Sequence, residues 1–214
     1  MIVAEVEARV KSADLIPIGS IAPRPPCCDT TGMSNPVYTI GHSTRPIEEF
    51  IDLLQRNGVE LLADIRTIPK SRHNPQYWHD ALQASLAEAG ITYAYLPGLG
   101  GRRRAAKDSV NTAWRNASFR GYADHMQTQE FADELARLVD LSRERVTAIM
   151  CAEAVPWRCH RSLVADALVV RGIEVLDIIS ETSVRPHTLR DWAHVEGTTI
   201  TYPGEESGGT DDDR

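Results

Sequence analysis

Val146-Thr-Ala-Ile-Met150, followed by Cys151-Ala-Glu-Ala-Val-Pro-Trp-Arg-Cys-His-Arg161, decides the fold. The first five residues form a short apolar, β-branched run, the pattern of a strand buried on both faces. After the polar loop the spacing turns helical, giving an expected helix from Cys159 to Arg171 with Gly172 as its closing residue. A strand that hands over to a helix in this way puts the loop's side chains at the carboxyl end of a sheet, where α/β proteins bind ligands. Two thiols, a carboxylate, an imidazole and two guanidiniums are concentrated there.

The same alternation repeats on either side. Val37 to Ile40 is a short apolar run that stops at Gly41, and Pro46 suits the first turn of a helix carrying Ile47, Phe50, Ile51 and Leu54. Asn57-Gly58 closes that helix, and Val59 to Ile65 reads as a second strand. Tyr77 to Ala89 reads as a helix closed by Gly90, Ile91 to Leu96 as a third strand, and Pro97 to Phe119 as a long irregular insertion. Thr128 caps a helix running to about Arg143, and Glu174 to Ile179 is a fifth strand. Leu189 to His194 and Thr198 to Tyr202 are expected to add a helix and an edge strand. Strands joined by helices imply right-handed crossovers and a mostly parallel sheet. The expected fold is therefore α/β, a Rossmann-like or flavodoxin-like layered fold of about five strands.

The organisation expected is one α/β domain over residues 37–202, a flexible extension over 1–36 and a disordered acidic tail over 203–214. Met33, directly before the first good strand, is a candidate translation start. The N-terminus has early acids and does not read as a signal peptide. No apolar run reaches the roughly 18 residues of a membrane helix. Four cysteines are too few for a disulfide scaffold in 214 residues, so free thiols in the cytoplasm are expected, with no membrane association.

The net charge of −7 hides a basic middle. Between Arg66 and Arg120 there are nine Lys/Arg against three Asp/Glu, an excess of +6 that leaves −13 for the rest. This contrast points to a local anion site, with a solvated basic face as the plainer alternative.

Four loops share the carboxyl edge that this topology implies. They contain Gly41-His42-Ser43, then Asp64-Ile65-Arg66 with Lys70-Ser71-Arg72, then Gly100-Gly101-Arg102, and lastly Cys151 to Arg161. Ser43 would present its hydroxyl to an anion or simply cap a helix. Gly100, Gly101 and Arg102 suit close approach to phosphate or carboxylate, or form a mobile surface loop. Asp64 and Arg66 form a structural ion pair or contribute a functional carboxylate. No GxGxxG or GxxxxGK[ST] is present, so no standard motif implies a cofactor.

Cys151 and Cys159 admit several readings. Their spacing is unusual for zinc, and six residues separate Cys151 from Arg158 where thiol phosphatase loops have five, so no metal site is assigned. A redox pair lacks a CxxC motif. Separate roles are also open: Cys159 as a helix-start thiol of lowered pKa, Glu153 as acid or base, Arg158 and Arg161 as an anion clamp. Two packing cysteines would be the plain alternative.

Gly41-His-Ser43, Asp64-Ile-Arg66, Ser71-Arg72, Leu99-Gly-Gly101, Asn116 to Tyr122 and Cys151-Ala-Glu153 with Cys159-His160-Arg161 together resemble the domain-of-unknown-function 488 family. The resemblance runs from about Val37 to Tyr202. It implies a compact α/β domain with a site shared by these loops, and it brings Asn116 to Tyr122 into that site. Some relatives carry a DNA-repair label. The leading expectation is a hydrolase or transferase acting on a phosphorylated or nucleotide-like anion. Glu153, Cys159, Cys151 and His42 would be its catalytic candidates. Ser43, Asp64, Arg66, Ser71, Arg72, Gly100, Gly101, Arg102, Tyr122, Arg158, His160 and Arg161 would bind the substrate. The rivals are a nucleic-acid-binding module using Phe119 and Tyr122, and a thiol or metal sensor.

Overall fold

The computed structural model describes residues 35–204. The expectations for the N-terminal extension up to residue 34, including a start at Met33, and for the tail from residue 205 lie outside the described residues.

Five parallel strands form the sheet: β1 (Val37–Gly41), β2 (Leu61–Asp64), β3 (Thr92–Tyr95), β4 (Thr147–Cys151) and β5 (Val175–Ser180). A sixth strand, β6 (Ser183–Pro186), pairs antiparallel with β5, giving the order β3-β2-β4-β1-β5-β6. The α/β layered reading holds. The order itself follows neither the Rossmann nor the flavodoxin arrangement, because β4 inserts between β1 and β2. The helices are α1 (Ile47–Arg56), α2 (His79–Glu88), α3 (Ala117–His125), α4 (Gln129–Glu144) and α5 (Arg161–Val169).

Strand alternation divides the core in two. On β4, Ala148 and Met150 face Phe50, Leu53 and Leu54 of α1 and Leu82 and Leu86 of α2. Ile149 and Cys151 face the other way, toward Phe131, Leu135 and Leu138 of α4 and Leu163, Val164 and Leu168 of α5. Cys151 is thereby aimed at the helix that follows its own loop. Returns at the opposite edge are tight, with Gly58, Gly90 and Gly172 at φ of 67°, 75° and 76°. This left-handed backbone is what glycine tolerates best.

Two terminal expectations are corrected. Thr198 to Tyr202 does not extend the sheet: β8 (Thr199–Thr201) pairs with β7 (His194–Glu196) in a separate hairpin. Leu189 to Ala193 is irregular backbone with a turn at Asp191 and Trp192 rather than a helix, and His194 begins β7. Arg190 in that stretch is used instead as a buried-side anchor, bonded to Asp166 and Ser162. No described helix is long and apolar enough to cross a membrane.

Candidate functional site

Strand register brings the four loops level. Gly41 pairs with Cys151, and Asp64 pairs with both Met150 and Tyr95. Beyond the strand ends the backbone pairing continues, with His42 N donating to Cys151 O and Ile65 N to Met150 O. Connections from β1 and β2 leave toward the α1/α2 face, while those from β3 and β4 leave toward α3, α4 and α5. The crevice between these opposed loops is where an open α/β sheet holds ligands.

A cavity of about 330 Å³ opens there, lined by His42, Arg66, Thr67, Ile68, Lys70, Ser71, Gly101, Arg102, Cys151, Ala152, Glu153, Cys159 and His160. A smaller one of about 160 Å³ adjoins it and adds Ser118, Phe119, Tyr122 and Arg158. Gly101, Arg102, Glu153, Cys159 and His160 border both. Among the described residues, the side chains of Lys70, Arg102, Glu153 and Arg158 have no ion-pair partner. Three free cations against one free carboxylate give the crevice a positive balance.

The two imidazoles have defined tautomers. His42 donates from Nδ1 to Ser43 O at 2.8 Å, which leaves Nε2 to accept from Arg66 Nη1 at 3.3 Å. His160 donates from Nε2 to Ile65 O at 3.0 Å, which leaves Nδ1 as the acceptor, 3.6 Å from Cys159 Sγ. Burial is the main cause that pushes both pKa values down to about 4, so both rings are neutral at pH 7. Gly101 makes the His160 arrangement possible: a Cβ there would lie 2.9 Å from His160 Nδ1. Thr67 Oγ1 ties the two loops by donating to Gly101 O at 2.7 Å.

Arg66 is largely committed. Its Nε and Nη2 donate to both oxygens of Asp64, and Nη2 also donates to Tyr77 O. Asp64 is fully buried and accepts a further bond from Tyr93. Asp64 thus fixes Arg66 from behind as a wall of the cavity and leaves one Nη1 proton for a ligand.

Several expected site residues lie elsewhere. Arg161, expected in an anion clamp, lines neither cavity. It is fully buried, its Nη1 donates to Cys151 Sγ at 3.0 Å and to Glu153 O, its Nη2 to Ala154 O, and its Nε to Thr39. Ser43, Asp64, Arg72 and Gly100 do not line either cavity. Ser43 has φ 50°, and Arg102 has φ 62°. They are the two non-glycine residues with left-handed backbone among the described residues, and both sit on these loops. Tyr122 borders the smaller cavity but is 1% exposed, with its hydroxyl on Leu99 O. Phe119 stacks on Trp114 at 4.7 Å. Neither ring stands clear of the surface as a stacking platform for a single strand would.

The Sγ atoms of Cys151 and Cys159 meet, while their Cα atoms are 7.6 Å apart. Relaxed disulfides span about 4.4–6.8 Å between Cα atoms, so the fold brings the two residues together as a thiol pair. No group of three or more His, Cys, Asp or Glu suited to a metal ion occurs among the described residues.

Sequence reasoning did not anticipate Thr67 or Ile68 as cavity residues. It also missed a buried network behind the loop. Thr39 donates to Asp177, His187 bridges Asp177 and Asp166, and Asp166 also accepts from Arg190 and Tyr202. A separate cavity of about 220 Å³ between α4, α5 and β8 has Arg171 as its one charged residue and lies away from the four loops.

The chain belongs to the family described as domain of unknown function DUF488, whose model matches residues 46–168. That stretch is narrower than Val37 to Tyr202. It contains the loops after β2, β3 and β4, and it begins just after His42 and Ser43. No curated protein and no solved structure matches the chain.

Proposed function

We propose that this DUF488 family member is a thiol-dependent hydrolase or transferase acting on a small phosphorylated or nucleotide-like anion. The observation that carries the reading is the Cys159–His160 pair. Its thiol faces an unprotonated Nδ1 at 3.6 Å, and the ring is oriented by Ile65 O on the far side. Nucleophile, acceptor and orienting group in this order are the parts that covalent catalysis by a side chain needs.

The anion would sit in the larger cavity among Lys70, Arg102 and the remaining Arg66 proton. With His160 held near pKa 4, its Nδ1 is unprotonated at rest and free to accept the thiol proton. The proton therefore moves only as the sulfur begins to bond to the substrate. The proton that His160 takes from the thiol would go to the leaving group, and Glu153, which borders both cavities, would draw the proton from the incoming water or acceptor as the sulfur departs. The smaller cavity, with Phe119 on one wall and Arg158 on another, would take the remainder of the substrate. The buried Tyr122 ring gives the nucleic-acid-binding reading less support than the enzyme reading.

The test uses reduced full-length protein with a panel of nucleoside phosphates and p-nitrophenyl phosphate. Binding is followed by calorimetry and turnover by phosphate release. Turnover is expected in the wild type, with loss in Cys159→Ser and Glu153→Gln while binding persists. Unchanged binding and turnover in both variants, or no binding by the wild type, would sink the proposal.

A further inference from the structure

Cys151 has no part in the reaction just proposed, yet its sulfur is placed beside a charge. It is 1% exposed, and Arg161 Nη1 lies 3.0 Å from its Sγ. A guanidinium at that distance favours thiolate over thiol. Cys159 has a different neighbour, the acceptor nitrogen of His160, and it is the one of the two that borders both cavities. The two sulfurs meet on the wall of the larger cavity.

We infer that Cys151 and Cys159 form a reversible thiol–disulfide couple that exchanges electrons with a small anionic disulfide admitted to the crevice. Cys159 attacks one sulfur of the incoming disulfide while His160 Nδ1 takes the thiol proton. A mixed disulfide forms at Cys159, and the first small thiolate leaves with that proton. Cys151, beside Arg161, then gives its proton to solvent as it attacks Cys159 Sγ, and the second small thiolate departs and takes a proton from solvent. The protein dithiol has lost two electrons and the small disulfide has gained two.

The division of labour follows from access and charge. Both residues line the larger cavity and both are nearly buried, but Cys159 alone also borders the smaller one, which makes it the attacking thiol and leaves Cys151, beside Arg161, to resolve. The Cα separation of 7.6 Å requires the loop to close by about an ångström before a relaxed bond can span it. Ala152, Glu153, Trp157 and Arg158 in that loop are exposed and leave room for the change. Lys70 and Arg102 at the crevice select an acidic disulfide. The couple does not depend on the phosphoryl-type reaction, so the two proposals can fail separately.

The experiment uses oxidised glutathione as probe on reduced full-length protein, followed by blocking of free thiols and peptide mapping. A Cys151–Cys159 linked peptide is expected in the wild type, and a glutathione adduct at Cys159 is expected in Cys151→Ser. Cys159→Ser should carry no adduct at Cys151. Absence of the linked peptide, a link from either residue to Cys27 or Cys28, or an adduct on Cys151 instead of Cys159 overturns the inference. The wild-type map stands even if a variant misfolds. Nucleotide binding by the same reduced sample, measured in parallel, reads the proposed function separately.

Discussion

Arg161 Nη1 lies 3.0 Å from Cys151 Sγ, inside a core from which the guanidinium has no exposed surface. Its remaining donors reach Thr39 and the carbonyls of Glu153 and Ala154, so one side chain sets the path of the whole cysteine loop. Gly41 belongs to the same arrangement, since a Cβ there would sit 2.8 Å from Arg161 Nη1. A lysine cannot span these acceptors. Each buried acceptor left unpaired costs about 1–3 kcal/mol, so Arg161→Lys should lower stability by roughly 3 kcal/mol or more. Urea denaturation measures this. A change within about 0.5 kcal/mol, the range usual for neutral surface substitutions, would mean that the network is not structural.

His187 gives stability a pH dependence. Burial alone would lower its pKa, but hydrogen bonds to Asp166 and Asp177, and the field of both carboxylates, outweigh it and raise the value to about 9. The folded state therefore holds the proton more tightly than the unfolded chain, whose value is near 6.5. Its contribution is complete below pH 6.5 and is lost as pH rises through about 9. That interval corresponds to roughly 3 kcal/mol. His42 and His160 act in the opposite sense: their lowered values remove stability as pH falls from 6.5 toward 4. Denaturation midpoints of the wild type should fall between pH 6.5 and 9.5, and His187→Gln should flatten that alkaline limb while leaving the acid limb in place. An unchanged alkaline limb in the variant would contradict the bridging role.

Gly101→Ala tests whether the His160 geometry governs Cys159. The added methyl, 2.9 Å from Nδ1, must displace the ring or the loop. Overpacking of this kind costs about 1–3 kcal/mol. Alkylation of Cys159 by iodoacetamide in the reduced protein should slow, because the sulfur loses its aligned acceptor. Alkylation at the wild-type rate would detach His160 from the chemistry of the thiol.

The parts of this structure that could be read in advance are those set by local pattern. β1, β4 and β5 are apolar runs, α1 and α4 carry helical spacing, and Gly58, Gly90 and Gly172 mark the returns. The convergence of four loops then followed from the carboxyl-edge rule. α3 was hidden because Gly121 interrupts its helical propensity. The glycine answers a tertiary demand, since a Cβ would come within 2.5 Å of Arg103 O. The position of β4 between β1 and β2 depends on long-range pairing that no window of sequence contains. Arg158 and Arg161 look alike in the chain, yet α5 packing leaves one exposed and buries the other. The Asp166–His187–Asp177 network joins two crossover partners and a late turn, and no local spacing announces it.

Arg102 holds backbone conformation and charge in a combination that can be separated. Its φ of 62° is left-handed, a region that costs a non-glycine residue about 1–2 kcal/mol. Its side chain borders both cavities and has no ion-pair partner among the described residues. Strain kept at an unpaired cation is what a ligand site, and not a stability site, would retain. Arg102→Gly relieves the backbone and removes the guanidinium, so it should gain up to about 1 kcal/mol in stability, offset in part by the freedom of glycine in the unfolded chain. The same variant should bind nucleoside phosphates about tenfold more weakly, equivalent to roughly 1.4 kcal/mol for one lost charge-assisted contact. Arg102→Ala keeps the strained backbone and should show the binding loss without the stability gain. Arg72→Ala, which removes a cation outside both cavities, should show neither. Thermal denaturation and calorimetric titration on the four proteins read the two effects independently. Equal affinity in all four would remove Arg102 from the anion site.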